Sequence, residues 1–295
     1  MDDLNDIPVL ARMRRIVTQT GPARVPDFYG IGAEKCGTTW LWDMFRDHPE
    51  IGVPQPKELR YFAHFYIGTG LNNFNALTRV MRGNFPNPPG PNLMENLITE
   101  LRVSMGRDPA YKRIFGALEG KAVGDISPQY CMLPAEGIAH MKRISPNAKI
   151  IMLLRDPVSR VISAGKMKAG EEFEELDDAK VREKAVKPFQ LNMSRYSRIL
   201  DRYEAAFPGN VFVGFMDDIR DRPLDLLAEV CDFLGVGHAA EYYPNLTRKS
   251  NEGASYSVGE ALTREVYAEL RGEYDALEPR FPERVGKWRE KYAGF

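Results

Sequence analysis

The sequence has little of several features that commonly announce a function. Only three cysteines, Cys36, Cys131 and Cys231, occur in 295 residues. That odd number, widely spaced, excludes a disulfide framework or a cysteine-rich zinc cluster and points to a reducing compartment. Neither charge is in excess: 40 Lys and Arg face 41 Asp and Glu, a formal net charge of -1. No global field therefore draws the chain to nucleic acid or to an anionic membrane, and an anionic ligand must be held by a local cluster of cations and N–H groups. Long apolar runs are missing too; stretches such as 150–154 are strand-sized. The first residues, with Asp2, Asp3 and Asp6, are acidic where a signal or transit peptide is basic. A cytoplasmic protein without a membrane span is the expectation.

The 43% of apolar residues can fill a large core. No internal repeat is visible. The Pro- and Gly-rich segment 83–92 reads as a surface loop or the edge of an insertion, and the acidic run 171–178 as a solvated helix face or mobile loop. Aliphatic and β-branched stretches at 27–31, 51–53, 122–124, 149–154 and 211–215 alternate with helical patterns at 38–46, 135–144, 157–168, 189–207, 223–234 and 258–277. Asp156-Pro157 and Arg222-Pro223 put proline at the first helical position, where its missing N–H costs nothing. Continuously apolar strands alternating with helices predict an α/β fold: a mostly parallel central sheet flanked by helices on both faces. Such sheets bind ligands at the C-terminal ends of their strands.

The first strand runs into Gly32-Ala33-Glu34-Lys35-Cys36-Gly37-Thr38-Thr39-Trp40-Leu41. Strand, glycine-bearing loop and helix start in that order let backbone N–H groups converge on an anion, aided by the helix N-terminus and by two threonine hydroxyls. The glycine spacing matches the nucleoside-triphosphate loop G-x-x-x-x-G-K-[ST], but Thr38 stands where that loop has lysine. The lysine is Lys35, on the loop itself. A second constellation follows the fourth strand, where Arg155-Asp156-Pro157 precedes Ser163. In a helix from Pro157, Ser163 lies about 9 Å along the axis and leans back toward Arg155.

These two stretches, with Pro56-Lys57-Glu58-Leu59-Arg60-Tyr61-Phe62 between them, resemble sulfotransferases that use 3′-phosphoadenosine 5′-phosphosulfate (PAPS), in pattern the branch of heparan sulfate and many bacterial members. The resemblance covers roughly 27–62 and 122–218. It implies a P-loop NTPase-like three-layer sandwich, one domain over 1–295 with an acceptor-side insertion or lid around 65–120. It also implies a donor site made of Lys35, Cys36, Gly37, Thr38, Thr39, Trp40, Arg155 and Ser163, with Arg248 and Lys249 on a loop that closes over the donor. The implied product is adenosine 3′,5′-bisphosphate, the acceptor a hydroxyl or amine on a small or carrier-bound molecule, and no metal is expected.

The general base implied by the resemblance is Glu58, with a pKa raised by a partly apolar cleft of Tyr61, Phe62, Phe65 and Tyr66. His64 is the rival base, and His48 reads as a turn residue. The sequence departs from the family at Ile126, where a lysine often precedes Ser-Pro; Arg60 is the candidate replacement cation. Cys36, beside Lys35 and a helix N-terminus, is open to a lowered thiol pKa. Trp40, Trp42 and Phe45 read as core or purine-adjacent packing. Two alternatives stand: a P-loop kinase or nucleotidase using ATP and magnesium held by Asp156 or Asp217, and a non-catalytic nucleotide-binding module.

Overall fold

A computed structural model describes residues 22–55, 57–68, 108–246 and 256–295. Its sheet is built from β1 (Phe28–Gly32), β2 (Ile51–Gly52), β3 (Ala122–Ile126), β4 (Lys149–Leu154) and β5 (Val211–Phe215), all parallel, in the order β2-β3-β1-β4-β5. Every residue of β1 and β3 is buried, as required of strands covered on both faces. The chain moves from β1 toward one edge and then crosses to β4 on the other side. That reversal opens a crevice at the C-terminal ends of β1 and β4, the usual ligand position in such sheets.

The helices α1 (Thr38–Arg46), α2 (Tyr61–Tyr66), α3 (Asp108–Gly116), α4 (Ala135–Ile144), α5 (Pro157–Gly170), α6 (Asp178–Ala185), α7 (Pro188–Met193), α8 (Tyr196–Ala206), α9 (Met216–Asp221), α10 (Pro223–Leu234), α11 (Glu260–Leu277) and α12 (Pro282–Glu290) connect and flank the strands. In α1 the residues Trp40, Leu41, Met44 and Phe45 turn to the core at the spacing of one helix face.

Three sequence expectations change. The helix expected over 189–207 is two helices, because Ser194 leaves the helical path: its hydroxyl accepts from Arg160 Nε (2.5 Å) and donates to the Pro157 carbonyl (3.2 Å). The strand expected over 122–124 extends to Ile126, because Asp125 is buried within it among hydroxyl donors. The acidic run ends in a helix start, since Asp177 accepts from the Lys180 N–H and caps α6, while Asp178 receives Tyr256 Oη at 2.6 Å. Segment 83–92 lies outside the described residues, whereas α3, inside the expected 65–120 insertion, buries Tyr111 and Phe115.

The C-terminal helices lock onto the crevice rim. Buried Asp156 accepts from Tyr274 Oη and Tyr292 Oη, both at 2.5 Å, and from Ser159 Oγ at 2.7 Å. The three cysteines are buried free thiols. Among the described residues no helix is long and apolar enough to cross a membrane.

Candidate active site

Gly37 caps α1 with φ 93°, and a Cβ there would lie 2.2 Å from Ile219 Cδ1. Only glycine reverses the chain in that space. Lys35 also has positive φ, 67°. Its ammonium meets Met167 Sδ at 3.6 Å, a weak acceptor that leaves it poorly satisfied. Burial lowers the Lys35 pKa, and the nearby Arg155 guanidinium lowers it further. An anion arriving here relieves both effects.

Arg155 Nη1 donates to the Lys35 carbonyl at 3.2 Å, so the end of β4 and the loop after β1 form one rim. Ser163 and Met167 are one helical turn apart on α5, which carries the half-buried Ser163 to the side Lys35 faces. Beneath the loop, α5 also buries Arg160 completely, held by Ser194 Oγ, Gln190 Oε1 and the Gln190 carbonyl. These partners are neutral, so the cation adds a positive potential under the cradle. Glu34 on the loop accepts from Gln129 Nε2 at 2.8 Å, which anchors the loop to the turn after β3. Sequence reading overlooked Arg160 and Gln129. The R-x4-R spacing from Arg155 was the only available signal for the first.

Thr38 and Trp40 are buried in the start of α1. Cys36 is buried completely beside Tyr196 Oη (3.7 Å), and burial pushes its thiol pKa up, because the helix N-terminus does not compensate for lost solvent. Arg248 and Lys249 lie outside the described residues.

In the segment after β2, Lys57 Nζ donates to Thr39 Oγ1 at 3.0 Å and to Glu58 Oε1 at 2.9 Å. Arg60 closes a fork on Glu58 Oε2 through Nε (3.1 Å) and Nη2 (2.7 Å). Glu58 and Arg60 adopt positive φ, 66° and 55°, and the segment is pinned because the Arg60 N–H donates to Ser127 Oγ at 2.9 Å. Burial tends to raise the Glu58 pKa, but the two cations outweigh it and hold the carboxyl below its ordinary range. The expected upward shift is therefore corrected. Ile126 packs in the core against Gly30, and Arg60, the candidate replacement cation, is engaged by the Glu58 carboxylate.

Ser127 Oγ donates in turn to Asp125 Oδ1 (2.8 Å), while Asp125 Oδ2 accepts from Tyr111 Oη (2.9 Å) and Tyr130 Oη (2.6 Å). Burial pushes the Asp125 pKa up to about 6 against the pull of these hydroxyls. With its folded pKa above its unfolded one, the native state holds an extra proton only between about pH 4 and 6, so stability falls as pH rises across that window and levels off above it. Asp125→Asn is expected to flatten that part of the melting-temperature profile. An unchanged slope would show that Asp125 does not titrate there.

Ring contact joins His64 to Phe65 (5.1 Å) and its backbone N–H donates to the Arg60 carbonyl (2.8 Å), while among the described residues its imidazole makes no hydrogen bond to the Glu58 carboxylate. His48 follows α1 as expected but is buried, accepting from the Glu50 N–H at Nδ1 (3.0 Å) and donating to the Gly237 carbonyl from Nε2 (3.1 Å). The two carboxylates open to a magnesium reading are engaged elsewhere: Asp156 by its tyrosines and Asp217 by Trp288 Nε1 at 2.9 Å.

The profile of the sulfotransferase family matches residues 26–240, a span that holds Lys35, Glu58, Arg155 and Ser163 but ends before Arg248 and Lys249. Carbohydrate sulfotransferase 15 of Homo sapiens is 27% identical over 170 residues, 51% of this chain and 29% of that protein. The Mus musculus protein of the same name is 28% identical over the same coverage. The chain thus spans about a third of the length of these curated relatives. A crystal structure of a sulfotransferase from Alicyclobacillus acidocaldarius is similar with a TM-score of 0.61 and 26% identity, covering 90% of this chain and 98% of that one. The sulfotransferase domain of the Synechococcus PCC 7002 olefin synthase shares the fold at a TM-score of 0.50 and 17% identity, covering 86% of this chain and 96% of that one.

Proposed function

The chain belongs to the sulfotransferase family, and from that premise we propose that it transfers a sulfuryl group from PAPS to a hydroxyl of a small or carrier-bound acceptor. The observation that carries this reading is the contact of Arg155 with the Lys35 carbonyl, which joins two cationic motifs 120 residues apart into one rim. Two anionic ends of one nucleotide suit two such motifs. In this reading the loop amides, Thr38 and Thr39 receive the 5′-phosphosulfate, while Arg155 and Ser163 grip the 3′-phosphate. Trp40, held at the start of α1, contributes its backbone to the cradle.

The acceptor oxygen attacks sulfur in line with the leaving phosphate oxygen. The new S–O bond forms as the old one breaks, and the bond's electron pair leaves with adenosine 3′,5′-bisphosphate. Lys35 stabilises the negative charge growing on that leaving oxygen, and the acceptor's proton passes to Glu58. Arg60 fixes the carboxylate through the pinned backbone of its own segment. The engagement of Asp156 and Asp217 disfavours an ATP–magnesium reading, which needs a free carboxylate beside the loop.

Adenosine 3′,5′-bisphosphate is expected to raise the melting temperature more than ATP with magnesium does. Arg155→Ala should weaken the bisphosphate about ten- to a hundredfold, as befits a lost charge-assisted contact, and leave adenosine 5′-phosphate within about twofold. Equal losses for both nucleotides, or a larger shift with ATP, would overturn the donor assignment. Transfer of labelled sulfate from PAPS into a fractionated extract, followed by mass analysis, identifies the acceptor.

A further inference from the structure

The base cluster and the donor loop are tied by one side chain. Lys57 Nζ touches Thr39 Oγ1 on the loop and Glu58 Oε1 on the acceptor side at 3.0 and 2.9 Å. An ammonium only donates, so Thr39 is the acceptor in that bond and its own proton stays available to an anion. Two of the three Lys57 donors are used by these bonds. Both Lys57 and Glu58 are largely shielded, with side chains 15% and 17% exposed, so their attraction is only weakly screened. We propose that Lys57 is a shared cation: it engages Glu58 in the empty enzyme and moves onto the phosphosulfate when the donor enters, freeing Glu58 Oε1 to take the acceptor's proton.

This inference rests on the reading of Glu58 as the base and of the loop as the donor site. A donor seated on Thr39 brings phosphate and sulfate oxygens beside an ammonium 3.0 Å from that hydroxyl. The donor carries about four negative charges against the carboxylate's one, so the cation's better partner becomes the donor. Arg60 keeps its fork on Oε2, which preserves the carboxylate's orientation while Oε1 is released. Among the described residues the charged groups facing Glu58 are Lys57 and Arg60 from its own segment and, through Ser127, Asp125 from β3, whose pKa it helps to raise. Losing Lys57 leaves one cation and that like charge, so the proton affinity of Glu58 rises when it is needed. The resting enzyme keeps its base occupied, and loading the donor switches it on.

A double-mutant cycle on bisphosphate affinity tests the competition. Glu58→Gln removes the rival for Lys57 and is expected to tighten adenosine 3′,5′-bisphosphate about fivefold or more by calorimetry, a coupling of ordinary size. In the Lys57→Met background the same change is expected to alter affinity less than about twofold. Equal tightening in both backgrounds would show that Glu58 acts by simple repulsion and would overturn the proposal, as would no tightening in either. Lys57→Gln provides a second background should the methionine variant fold poorly, and Lys57→Arg is expected to restore the coupling. A crystal structure with the bisphosphate should show Lys57 Nζ on a 5′-phosphate oxygen and away from Glu58; retention of the Glu58 bond would overturn the switch. Failure of the underlying reading looks different: the bisphosphate does not bind the unaltered chain, or Glu58→Gln leaves transfer intact.

Discussion

Replacing Lys35 with methionine is expected to lower sulfuryl transfer about a hundred- to a thousandfold, the range seen when one donor to a developing oxyanion is removed. The side chain lies on a loop whose positive φ and glycine-capped helix start fix its origin, so its ammonium needs little reorganisation to meet a leaving oxygen. Its only described hydrogen-bond partner is a thioether, and burial with a neighbouring guanidinium makes an anion welcome. Binding of adenosine 3′,5′-bisphosphate should fall less than turnover does, because charge on the bridging oxygen grows only in the transition state. Single-turnover transfer of labelled sulfate, set beside calorimetry, separates the two. A variant in which KM rises and kcat holds would make Lys35 a binding residue alone.

Glu58→Gln is expected to cost about a hundred- to ten-thousandfold in acceptor-dependent turnover, as removal of a positioned base does. Gln keeps the shape and one acceptor oxygen, which can hold the Arg60 fork, while its NH2 offers Lys57 no acceptor. The unaltered enzyme should lose activity on acidification as Glu58 gains a proton, and the variant should lack that limb. Burial, Lys57 and Arg60 together leave the resting carboxyl below its ordinary range. The acid limb of kcat/KM for donor, which reports the unloaded enzyme, therefore lies below the usual glutamate range, and donor saturation moves the limb of kcat upward. Survival of full turnover in Glu58→Gln would remove Glu58 as the base.

Local signals were enough for much of this architecture. Proline at a first helical position and apolar spacing located Thr38–Arg46, Ala135–Ile144 and Pro223–Leu234, because those elements are specified by neighbours three or four residues away. They failed where partners are distant. Ser194 breaks a continuous helical pattern only because Arg160, 34 residues earlier, needs its hydroxyl. Asp125 looks like the end of a strand until Tyr111, Tyr130 and Ser127 are seen to bury it.

By itself the sequence located the glycine-bearing loop between the first strand and helix, which depends on residue type at short spacing, while the family resemblance singled out Arg155, Ser163 and Glu58 as expectations. Tertiary structure alone decided their electrical state. Glu58 was expected to be raised in an apolar cleft, yet its own segment folds back with positive φ and puts Lys57 and Arg60 on both carboxylate oxygens. Cys36 was open to activation, yet it is sealed in the core. A pKa depends on which charges and how much water lie within a few ångströms, and those distances are fixed by folding, not by order along the chain.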